Sequence, residues 1–222
     1  MSNAPSVEPF AIRDCALIAV ATGSRAETLK DLRDNLLDCP AACLYYHFWG
    51  GLLHTRLEER EYNNDFAAWA WHALHDRVLG ERLAMIDPTA FGSLEDLRRE
   101  LIEVIEQRLD EHEYLLWAPR DQQFQFVQSQ TVVFDTGRRA NKPQDLLAVI
   151  PQLSAGSIFF HFIEARQRKP VGASDFQVWL ERFGPDYADL RNALGAIDPY
   201  FSSLTELRRK ISAVFDAFLG AT

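Results

Sequence analysis

Tyr45-Tyr46-His47-Phe48 returns as Phe159-Phe160-His161-Phe162, and Thr22-Gly23-Ser24-Arg25-Ala26 returns as Thr136-Gly137-Arg138-Arg139-Ala140. Both pairs share one offset, 114 positions (161 − 47 and 136 − 22). Further along, Asp65-Phe66 with Trp69 matches Asp175-Phe176 with Trp179, and Ile86-Asp87-Pro88 matches Ile197-Asp198-Pro199. These offsets drop to 110 and 111 (175 − 65 and 197 − 86), so the second copy is shorter where the first carries the polar stretch Glu58–Asn64, read as a surface loop. Ser93-Leu94 with Leu97-Arg98-Arg99 and Ser203-Leu204 with Leu207-Arg208-Arg209 close the two copies. Motifs in one order at nearly constant spacing mark an internal duplication: a first unit over residues 10–114, a linker over 115–123 that contains Pro119, and a second unit over 124–219.

Within each copy the apolar spacing is mainly helical. Leu32, Leu36 and Leu37 share a face, Pro143-Gln144-Asp145 suits a helix opening, and residues 41–53 and 157–168 read as aromatic helices. Residues 66–85 read as one long helix with Phe66, Trp69, Ala70, Ala73, Leu74 and Val78 on one side. Ser93 and Ser203 cap the last helices, with Asp96 and Glu206 three residues on. The openings are ambiguous: Phe124, Phe126 and Thr131-Val132-Val133-Phe134 look strand-like, whereas Asp14–Ala21 would serve equally as a helix, which is the reading favoured here. Gly23 and Gly137 fit positive-φ turns or helix caps. The expectation is a mostly α fold: two tandem copies of one helical unit packed about a pseudo-twofold axis, as a homodimer would be, with at most a short strand opening each unit.

The composition excludes several functions. Over 222 residues, 47% apolar and 25% charged describe an ordinary globular chain with a core of adequate size. A formal net charge of −9 repels both a phosphate backbone and an anionic leaflet, which argues against nucleic acid and membranes. Residues 1–8 lack the basic start and apolar core of a secretory signal, and Cys15–Ala21 is too short to span a bilayer, so a cytoplasmic location is expected. Three cysteines without disulfide-framework spacing, Cys15, Cys39 and Cys43, are expected as free thiols.

Candidate sites follow from the duplicated motifs. His47 and His161, with Asp65 and Asp175 and with Arg25 and Arg139, would form a ligand site if a pseudo-dyad brought them together, since imidazole, carboxylate and guanidinium bind small polar ligands. Against this stand simpler roles: each histidine hydrogen-bonded inside its own unit, Asp65 and Asp175 as helix N-caps, Trp69 and Trp179 as core anchors, and the arginines in surface ion pairs. Cys39, Cys43 and His47 stand at i, i+4 and i+8, a zinc-type set, but Leu153 and Ser157 answer the cysteines in the second copy, so no metal or other cofactor is expected. His72 and His75 near Asp76 belong to the first copy alone and read as solvent-facing. The phosphate-binding loop pattern is missing around Arg25 and Arg139.

Taken together, Thr-Gly-x-Arg-Ala, aromatic-aromatic-His-Phe, Asp-Phe-x-x-Trp and Ile-Asp-Pro, each present twice between Phe10 and Leu219, resemble a bacterial and archaeal family of duplicated domains of unknown function. The resemblance implies a prokaryotic source. It also implies genes near sugar-nucleotide glycosyltransferases, and hence an accessory role in carbohydrate synthesis with a glycosyltransferase as a candidate partner. The function expected is therefore that of a non-enzymatic binding or adaptor protein, engaging a protein partner through the inter-repeat groove or an aromatic surface. The alternative is a small-ligand binder or enzyme with its site at the pseudo-dyad, and a third reading is a scaffolding homo-oligomer.

Overall fold

The computed structural model describes residues 7–53, 61–111, 116–168 and 172–220. The start of the polar stretch Glu58–Asn64, the end of the first expected unit at Tyr114 and the start of the expected linker at Leu115 lie outside the described residues. Two strands, β1 (Phe10–Ala26) and β2 (Phe124–Ala140), pair in a two-stranded sheet. Thr22 Oγ1 donates to Phe126 O at 2.8 Å and Thr136 Oγ1 to Ile12 O at 2.6 Å, so position numbers rise along one strand as they fall along the other and the pairing is antiparallel. The helices are α1 (Leu29–Asp38), α2 (Ala41–Trp49), α3 (Asp65–His72), α4 (Arg77–Ala84), α5 (Leu94–Glu111), α6 (Asp145–Val149), α7 (Ala155–Ile158), α8 (Asp175–Glu181), α9 (Ala188–Gly195) and α10 (Leu204–Leu219). A π-helical turn, Phe159–Ile163, continues α7.

The strands overturn the expected fold class. Each is 17 residues long, about three times an average strand, so the openings are neither helical nor short. Phe10 and Ile12 are buried around a half-exposed Ala11, and Phe124 and Phe126 around an exposed Gln125. That alternation is the period of a pleated strand. The units are not tandem either. One compact unit is the continuous stretch Leu17–Thr131, and the other is built from the chain on both sides of it. We call them the inserted and the flanking unit. Both strands change unit midway, so each unit holds half of β1 and half of β2.

In the inserted unit, Thr28 starts α1 with a reciprocal cap: its hydroxyl accepts from Asp31 N, and the Asp31 carboxylate accepts from Thr28 N. Leu29, Leu32 and Leu36 form the buried stripe of α1, and α5 buries Leu97, Leu101 and Ile105. The long helix expected over 66–85 is broken. His75 takes φ +56°, and Asp76 caps α4 by accepting from Leu79 N at 3.0 Å. The same carboxylate accepts two bonds from Arg108 on α5, at 2.8 and 3.0 Å, and is almost fully buried. A buried carboxylate must be paired, so Asp76 ties the break to α5.

In the flanking unit, Ser154 caps α7, Ser174 caps α8 and Ser203 caps α10, each hydroxyl accepting from the backbone amide three residues on. Leu204, Leu207, Ile211 and Phe215 are the buried face of α10. Gly156 on α7 lies so close to β1 that a Cβ there would stand 2.2 Å from Asp14 Oδ1 and 2.3 Å from Cys15 O. Only glycine lets helix and strand approach to that distance.

Candidate functional site

The histidines of the recurring sequence motif sit at the strands. In the inserted unit, His47 on α2 is buried, and its Nε2 accepts from Val127 N of β2 at 3.1 Å. A nitrogen that accepts carries no proton, so the proton is on Nδ1, which donates to Asp65 Oδ2 at 3.0 Å. In the flanking unit, His161 repeats the arrangement: Nε2 accepts from Arg13 N of β1 at 2.9 Å, and Nδ1 donates to Asp175 Oδ2 at 2.7 Å. Each imidazole is neutral and both of its nitrogens are spent. Each also sits in an aromatic box: Phe124 at 4.7 Å and Phe66 at 5.3 Å from His47, Phe10 at 4.9 Å and Phe176 at 5.8 Å from His161. Trp69 Nε1 and Trp179 Nε1 each donate at 2.8 Å to a carbonyl just ahead of a strand, Gln122 O and Glu8 O.

The aspartates are not N-caps. Asn64 caps α3 and Ser174 caps α8, which moves Asp65 and Asp175 one position into the helix and frees their carboxylates for the histidines. Asn64, expected in a surface loop, is instead buried, accepting from Ala67 N and donating to Leu83 O at 3.0 Å.

The arginines join neither histidine. Arg25 is exposed, and its carbonyl accepts from Asn35. Arg139 is exposed and pairs with Asp135, which holds the Asp135 carboxyl down to about 2. Cys39 lies at the C-cap of α1, outside α2, where Arg98 reaches its sulfur at 3.3 Å. All three cysteines are free, and burial pushes the Cys15 thiol up to about 12 and the Cys43 thiol up to about 11. No cluster of three or more His, Cys, Asp or Glu able to hold a metal ion occurs among the described residues. His72 is exposed and stands 3.2 Å from Glu61.

Two features were missed in the sequence. Arg98 Nη1 donates to Leu36 O near the end of α1, and Arg208 Nη1 donates to Leu153 O at 2.8 Å. The twice-occurring Leu-Arg-Arg motif signalled them: its first arginine closes a backbone carbonyl in each unit. The second feature is a concavity of about 220 Å³ in the flanking unit, with Arg13, Arg168, Arg182, Glu8, Asp175 and Trp179 on its walls. Arg168 lies 4.2 Å over the Phe160 ring and donates to Asp175 Oδ2 at 3.0 Å and to Phe160 O at 3.1 Å. Its Nε is buried without a hydrogen bond among the described residues.

A family model for DUF5752, a family of unknown function, matches residues 7–216. The chain belongs to the DUF5752 family. A solved structure titled "The structure of OrfY from Thermoproteus tenax" is similar to this DUF5752 chain at 27% identity and a TM-score of 0.82, over 98% of this chain and 99% of that one. No curated protein matches the sequence. No helix among the described residues of this family member is long and apolar enough to cross a membrane.

Proposed function

We propose that this DUF5752 protein is a non-enzymatic binding protein that receives an extended segment of a protein partner along its strands. The observation that carries this reading is β2 itself, where Val132, Val133 and Phe134 are 40%, 41% and 47% exposed in succession. Successive strand residues point to opposite faces, so this part of β2 leaves apolar side chains in water on both faces. A strand in a two-stranded sheet also has one edge without a strand neighbour, and an apolar open edge is a template for strand addition. Neither histidine supports a catalytic reading, because a general base needs a free lone pair at the reacting atom and both lone-pair nitrogens already accept from strand amides.

The test is a photo-crosslinking amino acid placed at Phe134 in the native host. It should trap one protein, and the purified partner should bind the chain at least tenfold more weakly after Val132→Asp or Phe134→Asp, with thermal stability unchanged. Crosslinks to a second copy alone, or undiminished binding by both variants, would overturn the reading. The accessory role in carbohydrate synthesis stands or falls with the same experiment, by whether the trapped protein is a glycosyltransferase.

A further inference from the structure

The concavity of the flanking unit has three arginines on its walls in a protein of net charge −9. Their own partners do not exhaust them. The Arg13 side chain makes no hydrogen bond or close ion pair among the described residues, with Asp135 acting on it only at longer range, while its backbone N–H is held by His161. Arg182 has only Glu8, at 3.8 Å, with both side chains largely exposed. Arg168 gives Nη2 to Asp175 and to Phe160 O and keeps Nε unpaired. On the walls themselves three arginines stand with two carboxylates, Glu8 and Asp175, while Asp135 acts on Arg13 and Glu164 on Arg168 from outside the lining.

The inserted unit shows that the fold does not need this cluster. There the amide bonded to the histidine belongs to Val127 instead of Arg13, and the position three residues after the tryptophan is His72 instead of Arg182. The same frame is built without those guanidiniums, so Arg13 and Arg182 are additions to it.

We propose that the flanking unit binds a phosphate group in this concavity, held by Arg13, Arg168 and Arg182. Guanidinium forks match the oxygen spacing of phosphate. The volume of about 220 Å³ falls below the roughly 300–1,000 Å³ of pockets for drug-sized ligands, which suits a small phosphate. His161 is a positioning residue, since its Nε2 fixes the backbone from which Arg13 projects. The site shares none of Val132, Val133 and Phe134 with the strand surface proposed above for a protein partner.

Calorimetric titration of the full chain with inorganic phosphate at low ionic strength tests this, with succinate and sulfate as parallel probes. One saturable equivalent of phosphate is expected, with affinity reduced at least tenfold by Arg13→Ala and by Arg182→Ala. Both variants keep the backbone N–H and the fold, which circular dichroism checks. Glu8→Ala removes the carboxylate competing for Arg182, so it should tighten binding several-fold; a merely structural role for these arginines would not produce that gain. No saturable phosphate binding, succinate bound in preference to phosphate, or affinity unmoved by both arginine variants would each overturn the proposal.

Discussion

A strand at the margin of a sheet has backbone amides with no neighbouring strand to receive them, and burying such an amide unpaired costs about 1–3 kcal/mol. His47 and His161 receive two of them, Val127 N and Arg13 N, and hand the demand on to a carboxylate in the first turn of a helix. Replacing either histidine by alanine removes the acceptor of a part-buried amide and leaves a cavity among aromatic rings. We expect a loss of about 2–4 kcal/mol for each, read by urea denaturation, while Asp65→Asn and Asp175→Asn, which keep an acceptor oxygen, should cost less than half as much. The Cys15 thiol gives a second expectation. Burial first, then the negative charges of Glu164 and Asp14, raise it from 9.0 to about 12, so the folded state holds this proton where the unfolded state has released it. The stability it contributes is complete below pH 9 and is lost as pH rises toward 12. Alkaline melts of wild type should fall across that window more steeply than those of Cys15→Ala, and the native thiol should resist a disulfide reagent at pH 8.

Gly156 carries the close approach of α7 to β1. Gly156→Ala drives a methyl into the Asp14 carboxylate and the Cys15 carbonyl, and backbone cannot move aside as a side-chain tip can. A loss of about 3 kcal/mol is expected in thermal or chemical melts. At the start of α3, Asn64→Ala should cost about 2 kcal/mol, because it removes the cap and also the donor to Leu83 O. The elements were unevenly legible in the sequence. Helices α5 and α10 announced themselves through Ser93 and Ser203 ahead of apolar stripes, and α1 through its leucine spacing alone. The strands did not, because Cys15–Ala21 is apolar at every position: its residues alternate faces in a strand that is solvated on both sides past Ala16, so burial imposes no alternation on the composition. The break at His75 and Asp76 was hidden as well, since it depends on Arg108 some thirty residues away. At the site, the histidine and aspartate types were visible, but their pairing required knowing that Asn64 and Ser174 do the capping. Arg13, Arg168 and Arg182 carried no motif; the signal available was that two of them have no arginine counterpart in the other copy, Arg13 answering to Val127 and Arg182 to His72.

The chain's two compact units have different dependence on sequence continuity. Leu17–Thr131 contains everything the inserted unit uses, including Phe124, Phe126 and Val127 around His47. Expressed alone, it should unfold cooperatively with a near-ultraviolet aromatic signal, whereas residues 10–114, which lack those strand residues, should show neither. A cooperative melt for 10–114 would mean that the aromatic box is dispensable. The flanking unit imposes a timetable on translation. Phe10, Ile12 and Cys15 leave the ribosome ahead of the inserted unit, yet the Phe176, His161 and Gly156 that pack on this stretch lie beyond Thr131. At roughly 5–20 residues per second, the stretch from Thr131 to Phe176 takes roughly 2 to 9 seconds to synthesise. Throughout that interval a finished guest is flanked by an orphaned apolar leader, the species that a holdase chaperone at the exit tunnel would shield.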